Sequence, residues 1–353
     1  MKIEEILRKL FNWMQKNHFF SLDPFDTLSF IKIKELFPYF LRPLFNSKKI
    51  RSNQAIAQII RGLLFLNKIK EAENIANYLK DSNGGYGEGF KWICDEKWLI
   101  REWTPDATCS AICGIALIEL YNTTKKEIYK IMAKKTANYI LQNFKIIKKG
   151  KNKICISYTP VDYACIINSN LFLANFFLRC GYEEICDKIL NYIFEKQNKD
   201  GSFYYWAEEI KTKEIDHLHT AFNLRNLFEI WKIKKDEKIK ERMFSLFDYY
   251  SKNLFLDDLP KYTNLRFYPI DGQTLSQAIY VFTLFSKIEK AEKIVKFSIE
   301  NFWNEKGYFY YRKYKFFTIK TPYIRWIQAP FFESLSLFYR TTKILPLNTP
   351  SSV

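Results

Sequence analysis

Four aspartates recur along the chain at intervals of about 55 residues, each just before a segment of small and apolar residues. They are Asp106 in TPD, Asp162 in PVD, Asp216 in EID and Asp271 in PID. Carboxylates that converge on one pocket perturb each other's pKa, as acid–base catalysis requires. Aspartate is also a favoured N-cap, worth about 1 kcal/mol over alanine. The pattern therefore indicates helix starts, catalytic carboxylates or both.

Two histidines lie beside one of these aspartates. His217 and His219 follow Asp216, and the only other histidine is His18. A histidine near carboxylates can carry a proton at neutral pH, although at a helix start it can also simply donate to a backbone carbonyl. Both roles stay open for this pair.

A metal site is the weaker interpretation of the same region. Cys109, Cys165 and His219 each come three residues after an aspartate of the series. Cysteine and histidine are zinc ligands, but these three belong to different segments and lack the local spacing of a zinc motif. We therefore expect neither a metal nor any other cofactor.

The segments between the apolar ones are rich in glycine and aromatic residues. NGGYGEGFKW, KDGSFYYW and EKGYFYYRKYKFF contain short alternating stretches that predict small β-hairpins. Aromatic faces of this kind can stack on sugar rings, or simply pack the loops onto the domain. The candidate residues are Trp92, Trp98, Trp103, Tyr204, Tyr205, Trp206, Tyr310, Tyr311 and Trp326.

Helices of two kinds must position these residues. Six segments are apolar on nearly every face, which is typical of helices buried on all sides. They are Asn53–Leu66, Ala107–Tyr121, Tyr163–Cys180, His217–Trp231, Gly272–Ser286 and Trp326–Tyr339. Six others carry one apolar stripe and many charges, which predicts helices with one face in solvent. They are Thr27–Phe45, Ile69–Lys80, Lys125–Phe144, Glu183–Lys196, Glu237–Asn253 and Glu289–Phe302.

The alternation predicts an all-α fold, an (α/α)6 toroid of six helical hairpins. A single hairpin cannot cover its own apolar face, and no polar cap closes either end of an open array, so we expect a closed ring. All inner helices then start at one rim, where their N-terminal dipoles and the aspartates meet. Arg51 and Arg325 occupy the same register in the outermost repeats. We expect one domain over residues 1–345, short β-hairpins over the rim, and a disordered tail over 346–353.

Composition narrows the functional classes. The net charge is +17, from 55 Lys+Arg against 38 Asp+Glu. A solvated basic surface is the favoured interpretation; an acidic substrate or an anionic membrane surface stays open, whereas no nucleic-acid motif occurs and no nucleic-acid partner is expected. Seven cysteines, an odd number, favour a reducing compartment, and the N-terminus does not resemble a secretory signal. A cytoplasmic protein without a membrane span is predicted, in an oligomeric state left open.

Four segments resemble a known group of proteins. SLDPFDTLSF, KDGSFYYWAEEIKTKEIDHLHTAF, YPIDGQTLSQAI and GYFYYRKYKFFTIKTPYIRWIQAPF are similar to landmarks of α/α-toroid proteins from polysaccharide and O-antigen gene clusters. That group is similar in fold to the six-hairpin glycosidases, so the resemblance implies a toroid that handles a saccharide. The matching motif positions are Asp23, Asp26, Asp216, His219, Asp271, Gln277, Arg325, Trp326 and Gln328.

A second resemblance is narrower. KQNKDGSF, with Gln197, Gly201 and Phe203, is similar to the Q-x-x-x-G-x-W motif of triterpene cyclases, which are also α/α toroids. Phenylalanine replaces the tryptophan, and Asp257-Asp258 alone does not make the acidic motif of those enzymes. A cyclase or prenyltransferase-like enzyme is thus the second enzyme hypothesis, distinguished by a wholly apolar pocket.

The leading hypothesis is a hydrolase or lyase acting on a neutral or acidic surface polysaccharide or its precursor. In a hydrolase, Asp216 and Asp271 would be the acid and the base or nucleophile, assisted by His219, with Asp106 and Asp162 binding hydroxyls or tuning pKa values. The predicted substrate-binding residues are Asp23, Asp26, Trp103, Tyr205, His217, Gln277, Tyr310, Arg325, Trp326 and Gln328. For a uronic acid, Arg325 and Tyr310 would support elimination. A non-catalytic glycan-binding or scaffold protein is the rival from another class.

Overall fold

The computed structural model describes residues 2–24, 48–94, 98–208 and 212–344. Asp26, the predicted helix Thr27–Phe45 and the predicted tail over 346–353 lie outside these ranges. No helix in the described ranges is long and apolar enough to cross a membrane.

Six helical segments form the inner wall of the molecule. They are α2 (Asn53–Phe65), α4 (Ala107–Thr124), α6 (Ile167–Arg179), α8 (His217–Lys234), α10 (Gly272–Leu284), and a π-helical turn (Ile324–Gln328) that continues into α12 (Ala329–Ile344). Most of their residues are buried, on every side of each helix, as their composition predicts. Two glycines permit close contact between neighbours, since a Cβ would lie 2.1 Å from the Phe176 ring at Gly114 and 2.7 Å from the Phe332 ring at Gly62.

The outer wall consists of amphipathic helices. They are α1 (Ile3–Lys16), α3 (Ile69–Ala76), α5 (Glu127–Asn143), α7 (Glu183–Glu195), α9 (Glu237–Asn253) and α11 (Ile288–Phe302). Each of α3, α5, α7, α9 and α11 packs on the inner helix that precedes it in the chain, whereas α1 packs on α12. The N-terminal helix, which the helix pattern did not assign to the outer wall, therefore covers the last inner helix.

The inner helices form a closed ring. Each packs against the next one along the chain, and α12 packs back against α2. The architecture is an (α/α)6 toroid, so the predicted fold class and the predicted closure are confirmed. Ring closure buries the two free flanks that an open array would expose to water.

Side chains cap four of the six inner helices at their N-terminal ends. Asp106, Asp216 and Asp271 accept hydrogen bonds from backbone N–H groups of the first turn, and Ser52 does so for α2. The predicted helix starts after these three aspartates are confirmed to the residue. Because four caps satisfy donors at the same rim, the aspartates are held in fixed orientations there.

The predicted start of the third inner helix is wrong. α6 begins at Ile167, four residues later than predicted, and Asp162 lies in the preceding loop. The carboxylate of Asp162 accepts four hydrogen bonds there, from the backbone N–H groups of Tyr158, Thr159 and Ala164 and from the Thr159 hydroxyl. Aspartate closes turns by the same bonds with which it caps helices, so its position alone did not separate the two.

The predicted short hairpins form at NGGYGEGFKW and EKGYFYYRKYKFF, whereas KDGSFYYW contains no strand. Short antiparallel two-stranded sheets lie in the helix connections. They pair β1 (Phe20–Ser21) with β2 (Ile50–Arg51), β3 (Asp81–Ser82) with β4 (Gly85–Tyr86), β5 (Trp92–Cys94) with β6 (Trp98–Ile100), β7 (Ile146–Lys148) with β8 (Ile154–Ile156), β9 (Phe255–Leu256) with β10 (Leu259–Pro260), and β12 (Trp303–Asn304) with β13 (Tyr308–Phe309). A three-stranded sheet joins β11 (Ile270–Asp271), β14 (Arg312–Lys313) and β15 (Thr318–Ile319). It fixes Arg312 opposite Asp271, at the start of α10.

Candidate active site

A cavity of about 780 Å³ lies at the rim where the inner helices begin. Its floor is built from one equivalent position in every inner helical segment, the second residue after the N-cap. These residues are Gln54, Thr108, Asn168, Leu218, Gln273 and Arg325. The ring of helix starts therefore directs six side chains at one space, of a size typical for small-molecule sites.

Glu88 is a buried carboxyl group of the cavity lining. Its Oε1 accepts hydrogen bonds from the Ser52 hydroxyl (2.9 Å), the Gln54 N–H (3.1 Å) and the Cys109 thiol (3.6 Å). Its Oε2 is buried and has no hydrogen-bond partner among the described residues. Burial raises the pKa of Glu88 to about 7, although Arg325 opposes the rise. Glu88 is thus only partly ionised near pH 7, and Oε2 is the oxygen that can carry its proton, because Oε1 already accepts three bonds.

Asp106 lies beside Glu88, and its pKa is shifted in the same direction. Burial raises the pKa of Asp106 to about 7; the Cys109 N–H, 2.8 Å from Oδ1, opposes this rise, and the charge of Glu88 adds to it. Neighbouring carboxyls in a low-dielectric site disfavour double ionisation. The two groups therefore are not both fully ionised near pH 7.

Asp216 and His219 form a dyad on another wall. Both carboxylate oxygens of Asp216 lie 2.9 Å from His219 Nδ1, and the His219 N–H donates to Oδ1. Burial would raise the pKa of Asp216, but His219 outweighs it and lowers that pKa below its usual range. Because the carboxylate occupies Nδ1, proton exchange with a ligand falls to Nε2. The Tyr205 ring packs edge-on against this imidazole at 4.5 Å.

Asp271 forms an ion pair with Arg312 within the cavity lining. Its Oδ2 accepts from Arg312 Nε, while Oδ1 caps Gln273 N at 2.7 Å. The Tyr262 hydroxyl lies 3.5 Å from Arg312 Nη2. Burial, with the charges of Asp271 and Asp216, raises the pKa of Tyr262. Both oxygens of Asp271 are therefore already engaged, which suits positioning better than nucleophilic attack.

Arg325 joins the two ends of the chain at the cavity. Asp23 holds its guanidinium by two hydrogen bonds, of 2.7 and 2.9 Å, and Asp23 is 1% exposed. The guanidinium also stacks over the rings of Phe90 and Trp326. Arg325 and Trp326 line the cavity as predicted, whereas Asp23 is not part of the lining and contacts Arg325 behind it.

Aromatic rings supply the apolar part of the walls. Tyr205 and Trp326, both predicted, lie there with six rings that include Trp92 and Trp206 from the predicted aromatic segments. The full set is Phe90, Trp92, Tyr158, Tyr205, Trp206, Phe222, Tyr262 and Trp326. Flat apolar faces beside polar edges are suited to sugar rings, whose C–H faces stack and whose hydroxyls need partners.

Several predicted site residues lie outside the cavity lining, and their placement is corrected here. His217 is fully buried between the Leu254 carbonyl and the Tyr250 hydroxyl, where burial lowers its pKa to about 3. It is therefore neutral and structural. Asp162 is enclosed in its own loop, as described above. Trp103 lies under the ammonium group of Lys80, 3.8 Å from the ring centroid.

Three further predicted positions hold the fold together instead of facing the cavity. Gln277 accepts from Arg225 inside the ring, and Gln328 bonds both backbone groups of Phe309. The Tyr310 hydroxyl accepts from Asn304. The Arg325–Tyr310 arrangement expected for elimination is therefore not assembled, because only Arg325 lines the cavity.

The three residues of the weaker zinc hypothesis do not converge. Cys109 donates to Glu88, and the thiol of Cys165 interacts with that of Cys155 rather than with His219. Within the described ranges, no group of three His, Cys, Asp or Glu side chains could hold a metal ion.

The cyclase-like motif lies away from the cavity. Gln197 donates to the carbonyls of Gly201 and Arg242, which ties the turn after α7 to α9. The apolar pocket expected of a cyclase is also not found, because Asp106, Asp216 and Asp271 all line the cavity.

The most consequential residue missed from the sequence is Glu88. It lies between Gly87 and Gly89, where added Cβ atoms would come within 2.0 Å of the Thr104 carbonyl and 2.8 Å of the Trp103 ring. An acidic residue between two glycines in a loop leading to the rim was the available signal. Thr108 and Asn168 were also missed, although each lies two residues after a helix N-cap.

The fold is similar to several solved structures. The GH76 α-mannanase of Bacteroides thetaiotaomicron superposes with a TM-score of 0.65 at 11% identity, over 98% of this chain and 97% of that one. A D-mannose isomerase gives 0.64 at 11% identity, over 97% of each chain. An unsaturated glucuronyl hydrolase specific for heparin gives 0.62 at 13% identity, over 97% of this chain and 96% of that one.

These matches establish the architecture. The chain shares the (α/α)6 toroid fold of these structures. No protein-family model matches the sequence, and no curated protein matches it. Sites differ among proteins of one fold, so the activity has to be argued from the side chains of the cavity.

Proposed function

We propose that this protein is a carbohydrate-active enzyme that uses acid–base catalysis in the rim cavity, and that hydrolysis of a glycosidic bond is its reaction. The observation that carries the proposal is the contrast among the carboxyl groups of one cavity. Burial raises the pKa of Glu88 and Asp106 to about 7, whereas His219 lowers that of Asp216. Paired groups with pKa values pushed apart are the mark of an acid and a base.

In this proposal Glu88 is the general acid. Its Oε2 has no hydrogen-bond partner among the described residues, so a proton on this oxygen is not committed to another acceptor and is the one we assign to the glycosidic oxygen. The bond from that oxygen to the anomeric carbon then breaks, and water adds to the anomeric carbon. The water proton passes to Asp216, directly or through His219. Asp106 helps to keep Glu88 protonated. Asp271 and Arg312 together orient the substrate.

Sugar isomerisation or epimerisation is the second candidate, favoured by the His219–Asp216 dyad. With Nδ1 held at 2.9 Å from the carboxylate, the imidazole is oriented as in catalytic bases, and Tyr205 fixes its plane. It could remove the proton beside the carbonyl of an open-chain sugar, which Glu88 polarises. No glycosidic bond is cleaved in that reaction, so the products separate the two candidates.

The test is turnover of a panel of oligosaccharides by the intact protein and three variants. Glu88→Gln and Asp216→Asn are each expected to lower kcat by about 10²–10⁴, because each removes one proton-transfer group. New reducing ends identify hydrolysis; deuterium uptake from D₂O at an unbroken sugar identifies epimerisation.

The matched control is Asp236→Asn. Asp236 caps outer helix α9 through Ile239 N at 3.0 Å, so the change removes a capping carboxylate without touching the cavity. Asparagine caps a helix about as well as aspartate, so the change is expected to alter stability little and to leave activity per folded molecule unchanged. Saccharide binding without turnover by the unaltered protein would favour the non-catalytic glycan-binding alternative.

A further inference from the structure

The floor of the cavity is polar but largely uncharged. Gln54, Thr108, Asn168 and Gln273 come from the starts of four different inner helices and all line the cavity. Amides and hydroxyls both donate and accept hydrogen bonds, as sugar hydroxyls do. We propose that this floor binds a neutral saccharide and excludes uronic acids and phosphorylated sugars. The inference rests on the proposed function, since it names the substrate class of the same site.

Two floor residues have polar atoms left for a ligand. Thr108 Oγ1 and Asn168 Oδ1 are buried without a hydrogen-bond partner among the described residues, and their side chains are 8% and 5% exposed. A buried polar atom without a partner costs about 1–3 kcal/mol, so a ligand that satisfies it gains affinity. An amide oxygen needs a donor; a ligand hydroxyl provides one, and a carboxylate does not.

The cations of the lining are already paired with carboxylates of the chain. Arg325 is held by Asp23, Arg312 by Asp271 and, at the mouth, Arg266 by Glu214. No lysine from the described part of the chain lines the cavity. To bind one of these arginines, an acidic sugar would therefore have to displace the aspartate or glutamate that pairs with it.

Displacing a carboxylate of the chain from its arginine is unfavourable at the floor of the cavity. Asp23 is 1% exposed, so breaking its contact with Arg325 would leave a buried charge without its partner. Glu88 and Asp106 also lie within electrostatic range of Arg325, and their ionisation would repel a second anion. The Arg266–Glu214 pair is more exposed and easier to open, which makes Arg266 the residue that an acidic ligand would use.

The experiment compares matched ligands. Each probe pair is a neutral gluco-, galacto- or manno-disaccharide and its uronate, made by oxidising C6 of the non-reducing sugar. Binding to the full chain is measured at pH 7 by calorimetry and ligand-detected NMR. We expect at least one neutral disaccharide to bind tenfold or more tightly than its uronate.

Two near-isosteric variants locate the binding to the floor. Thr108→Val and Asn168→Leu remove the two polar atoms and are each expected to weaken neutral-disaccharide binding about tenfold. Thr283→Val is the matched control, because Thr283 lies deeper in inner helix α10 and bonds only its own helix at Ile279. Thermal unfolding of all three variants separates loss of binding from loss of folding.

The outcomes separate this inference from the proposed function. A uronate that binds as tightly as its neutral partner, with affinity lost in Arg266→Gln, overturns the inference and leaves acid–base catalysis intact. Neutral-sugar binding that depends on Thr108 and Asn168, without turnover of any panel member, supports the inference and contradicts the proposed enzyme. Absence of binding by both members of every pair contradicts both.

Discussion

Two groups of buried polar residues in the toroid differ in what balances their charges and polar atoms. At the rim, polar atoms of Glu88, Thr108 and Asn168 have no partner among the described residues. Two to four turns further along the same helices, Arg61 contacts Glu119, Glu229 and Glu333, and Arg179, Arg225 and Asn175 complete the network. Most of the deeper group bonds within itself, with Glu333 Oε2 as an exception, whereas the three rim residues line the cavity.

The comparison shows how to recognise a site among many buried charges. In the deeper network, burial would raise the pKa of Glu229, but Arg61, Arg179 and Arg225 hold it well below its usual range. At the rim, Arg325 is already occupied by Asp23, so burial prevails and Glu88 and Asp106 keep raised pKa values. In a structural ion network the carboxyl groups do not titrate near neutral pH, whereas in a catalytic site at least one of them does.

The largest effect is expected from breaking the deeper network. Glu333 Oε1 lies 2.9 Å from Arg61 Nη1 and 2.8 Å from Arg225 Nη2, and the Glu333 side chain is fully buried. Glu333→Gln leaves two arginines short of a charge partner, so we expect about 3–5 kcal/mol lower free energy of unfolding, measured with denaturant. The control is Glu305→Gln, whose exposed pair with Lys9 contributes about 0–1 kcal/mol.

If the two regions are independent, Glu333→Gln protein that stays folded retains its kcat. A loss of turnover in the folded fraction, as large as that of Glu88→Gln, would show that the deeper network belongs to the site.

The next effect is on the pH dependence of catalysis. If Glu88 must be protonated, kcat/KM falls about tenfold per pH unit above pH 7, because its pKa is raised to about 7. No acid limb is expected down to about pH 4, since the pKa of Asp216 is lowered from 3.8. The alkaline limb should persist in Asp106→Asn; its disappearance there would assign the proton to Asp106.

The smallest effect is on the pH dependence of stability. The pKa of Glu88 is about 7 when folded against 4.5 when unfolded, so the folded state binds the extra proton between these values. Its contribution to stability is complete below pH 4.5 and is lost as the pH rises through 7. Glu88→Gln removes this loss, so we expect a melting temperature about 2–5 °C higher than that of the parent at pH 8 and little difference at pH 5. Equal shifts at both pH values would contradict the raised pKa.

The architecture could be predicted from the sequence because the same helix pattern repeats along the chain. Apolar segments alternating with amphipathic ones predict the ring, and aspartates before α4, α8 and α10 predict the rim and three of its capping carboxylates. Asp162 misled the assignment because a carboxylate closes a tight loop by the same bonds as a helix start. The N-terminal helix was recognised as amphipathic, but its packing on α12 is a contact between chain ends that local pattern does not contain.

The chemistry of the site was less predictable. Asp216 and Asp271 were expected to form the catalytic pair, yet Arg312, which comes from β14, already engages Asp271. The carboxyl group with a raised pKa is that of Glu88, from the segment between β4 and β5, and it is surrounded by Ser52, Gln54 and Cys109 from two other parts of the rim. A pKa is set by surroundings assembled from distant segments, so residue type and spacing do not reveal it.

The contact between distant segments at the rim has a consequence for biosynthesis. Arg325 leaves the ribosome 302 residues after Asp23, yet the two meet beside the cavity, with Ser21 Oγ accepting from Ile324 N at 3.0 Å. A nascent chain can stack its early hairpins but cannot complete the cavity until Arg325 has been synthesised. Until α12 docks against α2, the apolar flanks of the unclosed array stay exposed and invite chaperone binding.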